Sequence, residues 1–379
     1  MVNVGIIGLG KMGMSHYSII NAHDSVKVTG VCDSSGYVLD VLHKYTGAAT
    51  FTDFEKMLDS TAVEAVVIST PSRLHAPMVR TCLERGLHVF CEKPFCLDPV
   101  DSRALAEFAV QRGLVTQVGY HNRFVGAFGE VKRLLESGAI GKVSHALAEA
   151  YGPVVLKPKG GTWRSKKDEG GGALYDYAAH PLDLLTWYFG QPDHISGTVL
   201  GHVFSAETED EVFTSLTWAN GPSGQLSVSW SDESQRKMTT KVTIWGTNGR
   251  INVDRQECQV YLRDASKAPP GYGPGWNVRY TTELTEEVDF YVRGEEYSAQ
   301  LNAWVKRIES GEVRGVGDFV DAAGTDEVLA AIARSKGGVP EEVGILTPRV
   351  GQTDAFPGFL SRLRNRLRAR RSVRNVGRG

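Results

Sequence analysis

Asp176 and His180 stand one helical turn apart in the segment GGGALYDYAAHPLD, residues 170–183. A neutral imidazole takes up a proton near neutral pH, because its reference pKa is about 6.5. A carboxylate one turn away can orient that ring and stabilise its charged form. Gly170, Gly171 and Gly172 strip bulk from the preceding backbone, as expected where another group must approach closely. Pro181 leaves two geometries open, since a residue before proline avoids the helical region. Either one helix carries both side chains on a shared face, or the helix begins at Pro181 and Asp176 sits in the loop before it. Asp183, the next ionisable group, reads as a supporting residue.

A second constellation lies at the N-terminus. Gly8, Gly10 and Gly13 form G-x-G-x-x-G around Lys11 and Met12, between an apolar run and an amphipathic one. Bare backbone there permits a tight turn and lets a pyrophosphate reach the free N–H groups of a helix start. Alone the pattern is weak. Asp33, twenty residues past Gly13 and at the end of the next apolar run, strengthens it, because a carboxylate there accepts hydrogen bonds from ribose hydroxyls. The same carboxylate repels a 2'-phosphate, and neither Ser34 nor Ser35 supplies a compensating charge. NAD is therefore the expected cofactor, with NADP disfavoured.

The elements that would position these groups divide into two textures. VNVGIIG, VKVTGVCD, VEAVVIST, LHVFCEKP and LVTQVGY are short apolar runs separated by helical stretches up to residue 121. That alternation implies a parallel sheet covered on both faces, with ligands at the carboxyl ends of its strands. From residue 122 to 345, KVSHALAEAYG, HISGTVLGHVF, EVFTSLTWA, GQLSVSWSD, KVTIWG and RINVD follow, with turn signals such as NGPSG and TNGR. Several alternate apolar and polar residues, as strands of a sheet with one covered face do. Helical patterns at 128–138, 181–189, 294–310 and 318–336 make this second domain α+β, with a large, mostly antiparallel open sheet. Residues 346–379 read as a separate tail.

The chain's 379 residues exceed a single core, and its net charge of −2 hides an asymmetry. Residues 359–379 hold eight arginines and no acid, which leaves 34 lysines and arginines against 44 acids in residues 1–358, a net of −10. A body of that sign excludes a nucleic-acid binder as the first reading. Leu360, Leu363 and Leu367 fall at helical spacing among the arginines, so the tail is either a basic amphipathic helix with weak affinity for anionic membrane or a disordered segment. Five scattered cysteines without a C-x-x-C pair fit neither a disulfide framework nor a metal site, and point to a reducing cytoplasm. The N-terminus lacks a signal-peptide pattern.

The glycine turn, STPSRLH (69–75), CEKPF (91–95) and GGGALYDYAAHPLD, in this order, resemble the Gfo/Idh/MocA family of glucose-fructose oxidoreductase and inositol dehydrogenase. The resemblance spans about residues 1–345. It implies a Rossmann domain followed by an α/β domain whose open sheet joins subunits into a homo-oligomer. It also implies hydride exchange between a nicotinamide and a sugar or cyclitol carbon. By motif, Lys93 would stand beside nicotinamide and substrate hydroxyl, after Glu92 and before Pro94, whose preceding peptide such proteins often hold cis. Thr70, Pro71, His75 and Glu92 would line the cofactor channel, and Trp163 and Arg164 would border cofactor or substrate. Tyr120, Asn122, Arg123 and Tyr151 would approach the substrate with Asp176 and His180, although Arg123 and its neighbours suit a structural link as well. Lys157, Lys159, Arg164, Lys166 and Lys167 would favour an anionic sugar if that loop faces the site.

Three function classes stay open at this point. The first is an NAD-dependent sugar or cyclitol dehydrogenase with Lys93, Asp176 and His180 as catalytic residues. The second is an NAD-assisted glycosidase without net redox change, and the third a dinucleotide-binding sugar sensor.

Overall fold

The computed structural model describes residues 1–157, 163–288 and 290–335, and the backbone of 341–342. The described residues belong to one compact unit, and the tail expectations, on residues 346–379, fall outside them.

The first sheet is parallel, with β1 (Val2–Ile7), β2 (Val26–Cys32), β3 (Thr50–Phe51), β4 (Ala65–Ile68), β5 (His88–Cys91) and β6 (Thr116–Val118) in the order β3-β2-β1-β4-β5-β6. Its central strands are buried on both faces, which is why they read as continuous apolar runs without alternation. The strand order reverses direction between β1 and β4, and the glycine turn lies at that crevice.

The second sheet contains β7 (Val143–Tyr151), β8 (His194–Gly201), β9 (Glu211–Thr217), β10 (Ser223–Ser229), β11 (Lys241–Gly246), β12 (Gly249–Val253), β13 (Glu257–Leu262), β14 (Gly275–Tyr280) and β15 (Glu341–Glu342). They run β14-β13-β12-β11-β7-β10-β9-β8-β15, antiparallel except where β7 meets β10. Ala146, Ala148 and Ala150 of β7 are buried on the face that packs against the helix Ala179–Phe189, while Leu147, Glu149 and Tyr151 take the open face. β13 and β14 have no counterpart in the sequence expectation. β14 is an edge strand whose alternate residues, Trp276, Val278 and Tyr280, are exposed, so it lacks a buried apolar stripe.

One expectation about domain organisation needs correction. The helix Glu295–Ser310, assigned by sequence position to the second domain, buries Tyr297, Leu301, Trp304 and Val305 in the same cluster as Val4, Ile6, Val31 and Phe90 of the parallel sheet. Arg307 donates to the Thr116 carbonyl (2.9 Å) and Gln117 Oε1 (2.8 Å), and Gln117 Nε2 donates to the Gln300 carbonyl (2.7 Å). Chain order misassigned this helix because its apolar stripe fits either layer. Replacing Trp304 by Ala would cost about 3–5 kcal/mol, a price paid by the first sheet's core.

Candidate functional site

The glycine turn is shaped by protein atoms on one side and left open on the other. A Cβ built on Gly13 would lie 1.9 Å from the Gly8 carbonyl oxygen, whereas one on Gly10 meets nothing within 4 Å. Gly10 starts the helix Lys11–Asn21 without any side-chain cap, so first-turn N–H groups remain for an anion. Lys11 is exposed and Met12 half-buried on that turn. Asp33 follows β2, and its carboxylate accepts Leu9 N–H (2.6 Å) and Ser35 N–H (2.8 Å) beside exposed Ser34. Thr70 and Pro71 follow β4 at the same sheet edge. An open phosphate cradle with a carboxylate fixed next to it fits a dinucleotide.

Lys93 leaves the end of β5 through a cis Lys93–Pro94 peptide. Its ammonium donates to the Asp176 carbonyl (2.7 Å) and to Asp176 Oδ1 (3.0 Å), and Arg164 Nε reaches Asp176 Oδ2 at 3.1 Å. Burial raises the Asp176 carboxyl, but the Lys93 and Arg164 charges outweigh it and hold the group below its ordinary value. Asp176 sits in a π-helical turn, Leu174–Ala178, that runs directly into the α-helix Ala179–Phe189. A proline at 181 would clash with the carbonyl of residue 177 in a regular α-helix, and the wide turn relieves it. The helix thus runs continuously through His180 instead of starting at Pro181.

His180 is buried, and its Nδ1 has no hydrogen-bond partner. An imidazolium would leave that N–H unsatisfied. Burial first, then the charges of Lys93 and Arg255, push its pKa well below 6.5. No hydrogen bond or ion pair joins it to Asp176. The expectation that Asp176 orients the imidazole is therefore corrected: Asp176 orients Lys93, and His121 is the ring against His180, with centroids 4.9 Å apart.

Four other expectations change for similar reasons. His75 is buried with Nδ1 on the Pro94 carbonyl and Nε2 on the Thr70 carbonyl, both at 2.9 Å, so it straps two loops together and has no nitrogen free for a cofactor. Glu92 also turns inward: Oε1 meets His16 Nε2 at 2.7 Å and Oε2 accepts the Lys93 N–H at 3.2 Å. Arg123 directs its guanidinium to Asp183 (2.9 and 2.8 Å) and Asp321 (2.6 Å), a buried clamp between elements. Tyr151 lies on the open sheet face and bonds Ser227 Oγ at 2.6 Å. At the glycine run the close approach at Gly172 (φ +105°) is made by a protein side chain, Glu209, whose carboxylate a Cβ there would strike.

Tyr120 and Asn122 are buried with the tyrosine hydroxyl and both amide atoms unpartnered. Trp163–Ser165 form a 3-10 turn, which delivers Arg164 to Asp176; Lys159 falls outside the described residues. His16, His121 and Arg255 went unnoticed in the sequence. His16, three residues past Gly13 on a face the helix turns inward, is the one that spacing could have revealed.

A doubly wound dinucleotide fold whose C-terminal strand ends meet a lysine, a carboxylate and an imidazole defines an NAD-binding oxidoreductase. Residues 2–120 match the model described as oxidoreductase family, NAD-binding Rossmann fold, and residues 128–252 match the GFO/IDH/MocA C-terminal domain; the chain belongs to the Gfo/Idh/MocA family. It is similar to 2,7-anhydro-N-acetylneuraminate hydratase of Escherichia coli, 27% identical over 69% of this chain and 70% of that protein. It is also 26% identical to scyllo-inositol 2-dehydrogenase (NADP(+)) of Bacillus subtilis, over 59% of this chain and 66% of that one. The solved structure of levoglucosan dehydrogenase with NADH and levoglucosan shares the fold at a TM-score of 0.78, with 22% identity and coverage of 90% and 99%.

Proposed function

We propose that this protein oxidises a hydroxyl-bearing carbon of a sugar, of a sugar derivative such as a uronate or sugar nucleotide, or of a cyclitol. NAD, when bound, supplies the hydride acceptor. Asp176 holds the Lys93 ammonium, which donates to the substrate oxygen as alkoxide charge develops there. His180 takes the hydroxyl proton on Nε2, since its Nδ1 is enclosed and without a partner. The observation that carries this reading is the Lys93–Asp176 contact, which brings the end of a parallel strand onto the helix of His180.

Arg164, Lys157, Lys166 and Lys167 give the neighbouring loop a basic character, which favours an anionic substrate. We assign residues 1–121 to cofactor binding and 122–345 to substrate binding and self-association, apart from the helix Glu295–Ser310 that joins the first core. The open sheet face, with exposed Tyr261, Trp276, Val278 and Tyr280, is the surface for a homo-oligomer. All five cysteines are free and buried, which suits a reducing cytoplasm. No helix among the described residues is long and apolar enough to cross a membrane.

The test is a screen of free sugars, inositols, uronates and UDP-sugars for NADH formation with NAD supplied. Turnover that releases a leaving group or adds water while NADH stays level would replace the dehydrogenase reading with one of no net redox change, a direction the hydratase relative favours. Tight NAD binding with no turnover of any substrate, unaltered by Lys93→Ala, would favour a sensor.

A further inference from the structure

His121 occupies a position that the reaction above does not use. The residue is buried in the 3-10 turn His121–Phe124. Its ring stacks on Tyr297 (centroids 4.7 Å, 21°) and meets His180 edge-on (4.9 Å, 65°). Arg255, from the turn between β12 and β13, places Nη1 3.2 Å from His121 Nε2 and pairs through Nη2 with buried Glu296. An arginine only donates and does not lose its proton. His121 Nε2 must therefore be an acceptor, so the ring's proton is on Nδ1.

This bonding leaves His121 a single state. A second proton would have to displace the Arg255 donor, and the Tyr297 ring stacked on His121 holds its plane. The ring that packs against His180 is thus neutral and fixed in plane. Burial, followed by the Arg255 charge, pushes the His121 pKa down to about 3. The charged groups acting on the two rings are Lys93 and Glu92 from the end of β5 and Arg255 from the β12–β13 turn; Tyr297 stacks on His121, with Arg293 over the tyrosine ring and Glu296 on Arg255.

We propose that Arg255, acting through His121, is a positioning residue for His180: it fixes the tautomer and plane of the ring against which the base packs. Its donor and charge come from the second sheet, and its Glu296 partner from a helix of the first core. The inference rests on His180 being the base, and the test separates the two.

Full-length protein labelled with 15N-histidine and saturated with NAD is titrated as wild type, Arg255→Met and Arg255→Lys, with signals assigned by His121→Asn and His180→Asn. Wild-type His121 should keep one protonated and one bare nitrogen from pH 8 to 5. In R255M both rings should take up protons at a pH higher by about one unit, a tenfold change in the protonation equilibrium. R255K, which restores one donor and the charge, should bring the wild-type pattern back. The acid limb of kcat/KM should move with the His180 titration. If His121 in R255M keeps its tautomer and only the melting temperature falls, Arg255 is structural and the proposal fails. If the rings respond but the rate profile does not, Arg255 positions His180 as proposed and His180 is not the base.

Discussion

Lys93 Nζ lies 2.7 Å from the backbone oxygen and 3.0 Å from Oδ1 of Asp176, so one residue fixes the ammonium with two acceptors on a rigid helical turn. Both side chains are about seven-eighths buried. Charge-assisted bonds in such surroundings exceed neutral ones roughly twofold. Lys93→Met should lower kcat by about 10²–10⁴, the range for losing one preorganised charge or proton-handling group. NAD affinity, read by fluorescence titration, should change little. Equal losses in affinity and kcat would show that Lys93 serves cofactor binding instead.

In the proposed mechanism oxidation needs His180 neutral, and its pKa lies well below 6.5, chiefly through burial and then through the charges of Lys93 and Arg255. The form able to accept a proton is thus fully populated from pH 8 down through 6.5. kcat/KM for oxidation should stay level over that span and fall only well below it. An acid limb centred at 6.5 or above would contradict the buried, partnerless Nδ1.

The same rings should make folding pH-dependent. His121 and His180 have folded-state pKa values below their unfolded value near 6.5, so the unfolded chain binds more protons as pH falls. Their contribution to stability is complete above 6.5 and is lost as pH falls toward the folded-state values. Each ring costs about 1.4 kcal/mol per pH unit within that window. Denaturant midpoints for wild type should fall between pH 6.5 and 5, and His121→Asn should flatten the slope. An unchanged slope in that variant would mean His121 already titrates in the folded protein.

How much of this was legible depends on whether a residue's role is local. The glycine turn, Asp33 and Lys93-Pro94 are short local patterns, whereas the Asp176–His180 spacing suggested a pair that the fold replaces by Asp176 with Lys93, 83 residues away. The alternation of apolar runs likewise disclosed both sheets except the two-residue strands β3 and β15, too short to carry a pattern, and β13 and β14, of which β14 is a thinly covered edge. What stayed hidden is pairing across long separations. Arg123 finds Asp183 and Asp321, Arg255 finds His121, and the helix Glu295–Ser310 returns to the first core. Spacing carries no signal for any of these, because the partners meet only once both sheets are packed.

The Arg123 clamp shows the consequence. Its side chain is 2% exposed and that of Asp183 1%, so removing one partner strands the other charge. Arg123→Gln should cost about 3–5 kcal/mol in unfolding free energy, read by denaturant melts. At temperatures where the variant is still folded, KM for substrate should be near wild type. A selective rise in KM without loss of stability would restore Arg123 as a substrate ligand.

The two outer tests of the cofactor cradle act in opposite ways on one turn. A methyl group at Gly13 would collide with the Gly8 carbonyl, whereas one at Gly10, in extended geometry, touches no protein atom. Gly10→Ala should therefore leave the melting temperature unchanged and weaken NAD, because its methyl enters the space the phosphates need. Gly13→Ala should lower both. Asp33 completes the comparison: its carboxylate is held by Leu9 and Ser35 N–H groups, leaving its outer lone pairs to ribose hydroxyls and its charge against a 2'-phosphate. Asp33→Ser removes a charged acceptor worth about 1.5–3 kcal/mol. The ratio of kcat/KM for NAD over NADP should drop about 10- to 100-fold through the loss on NAD together with a gain on NADP. If only the NAD value falls, the carboxylate binds ribose but does not exclude phosphate. If neither moves, the adenosine half of the cofactor is held elsewhere and the geometry of this turn has been assigned the wrong ligand.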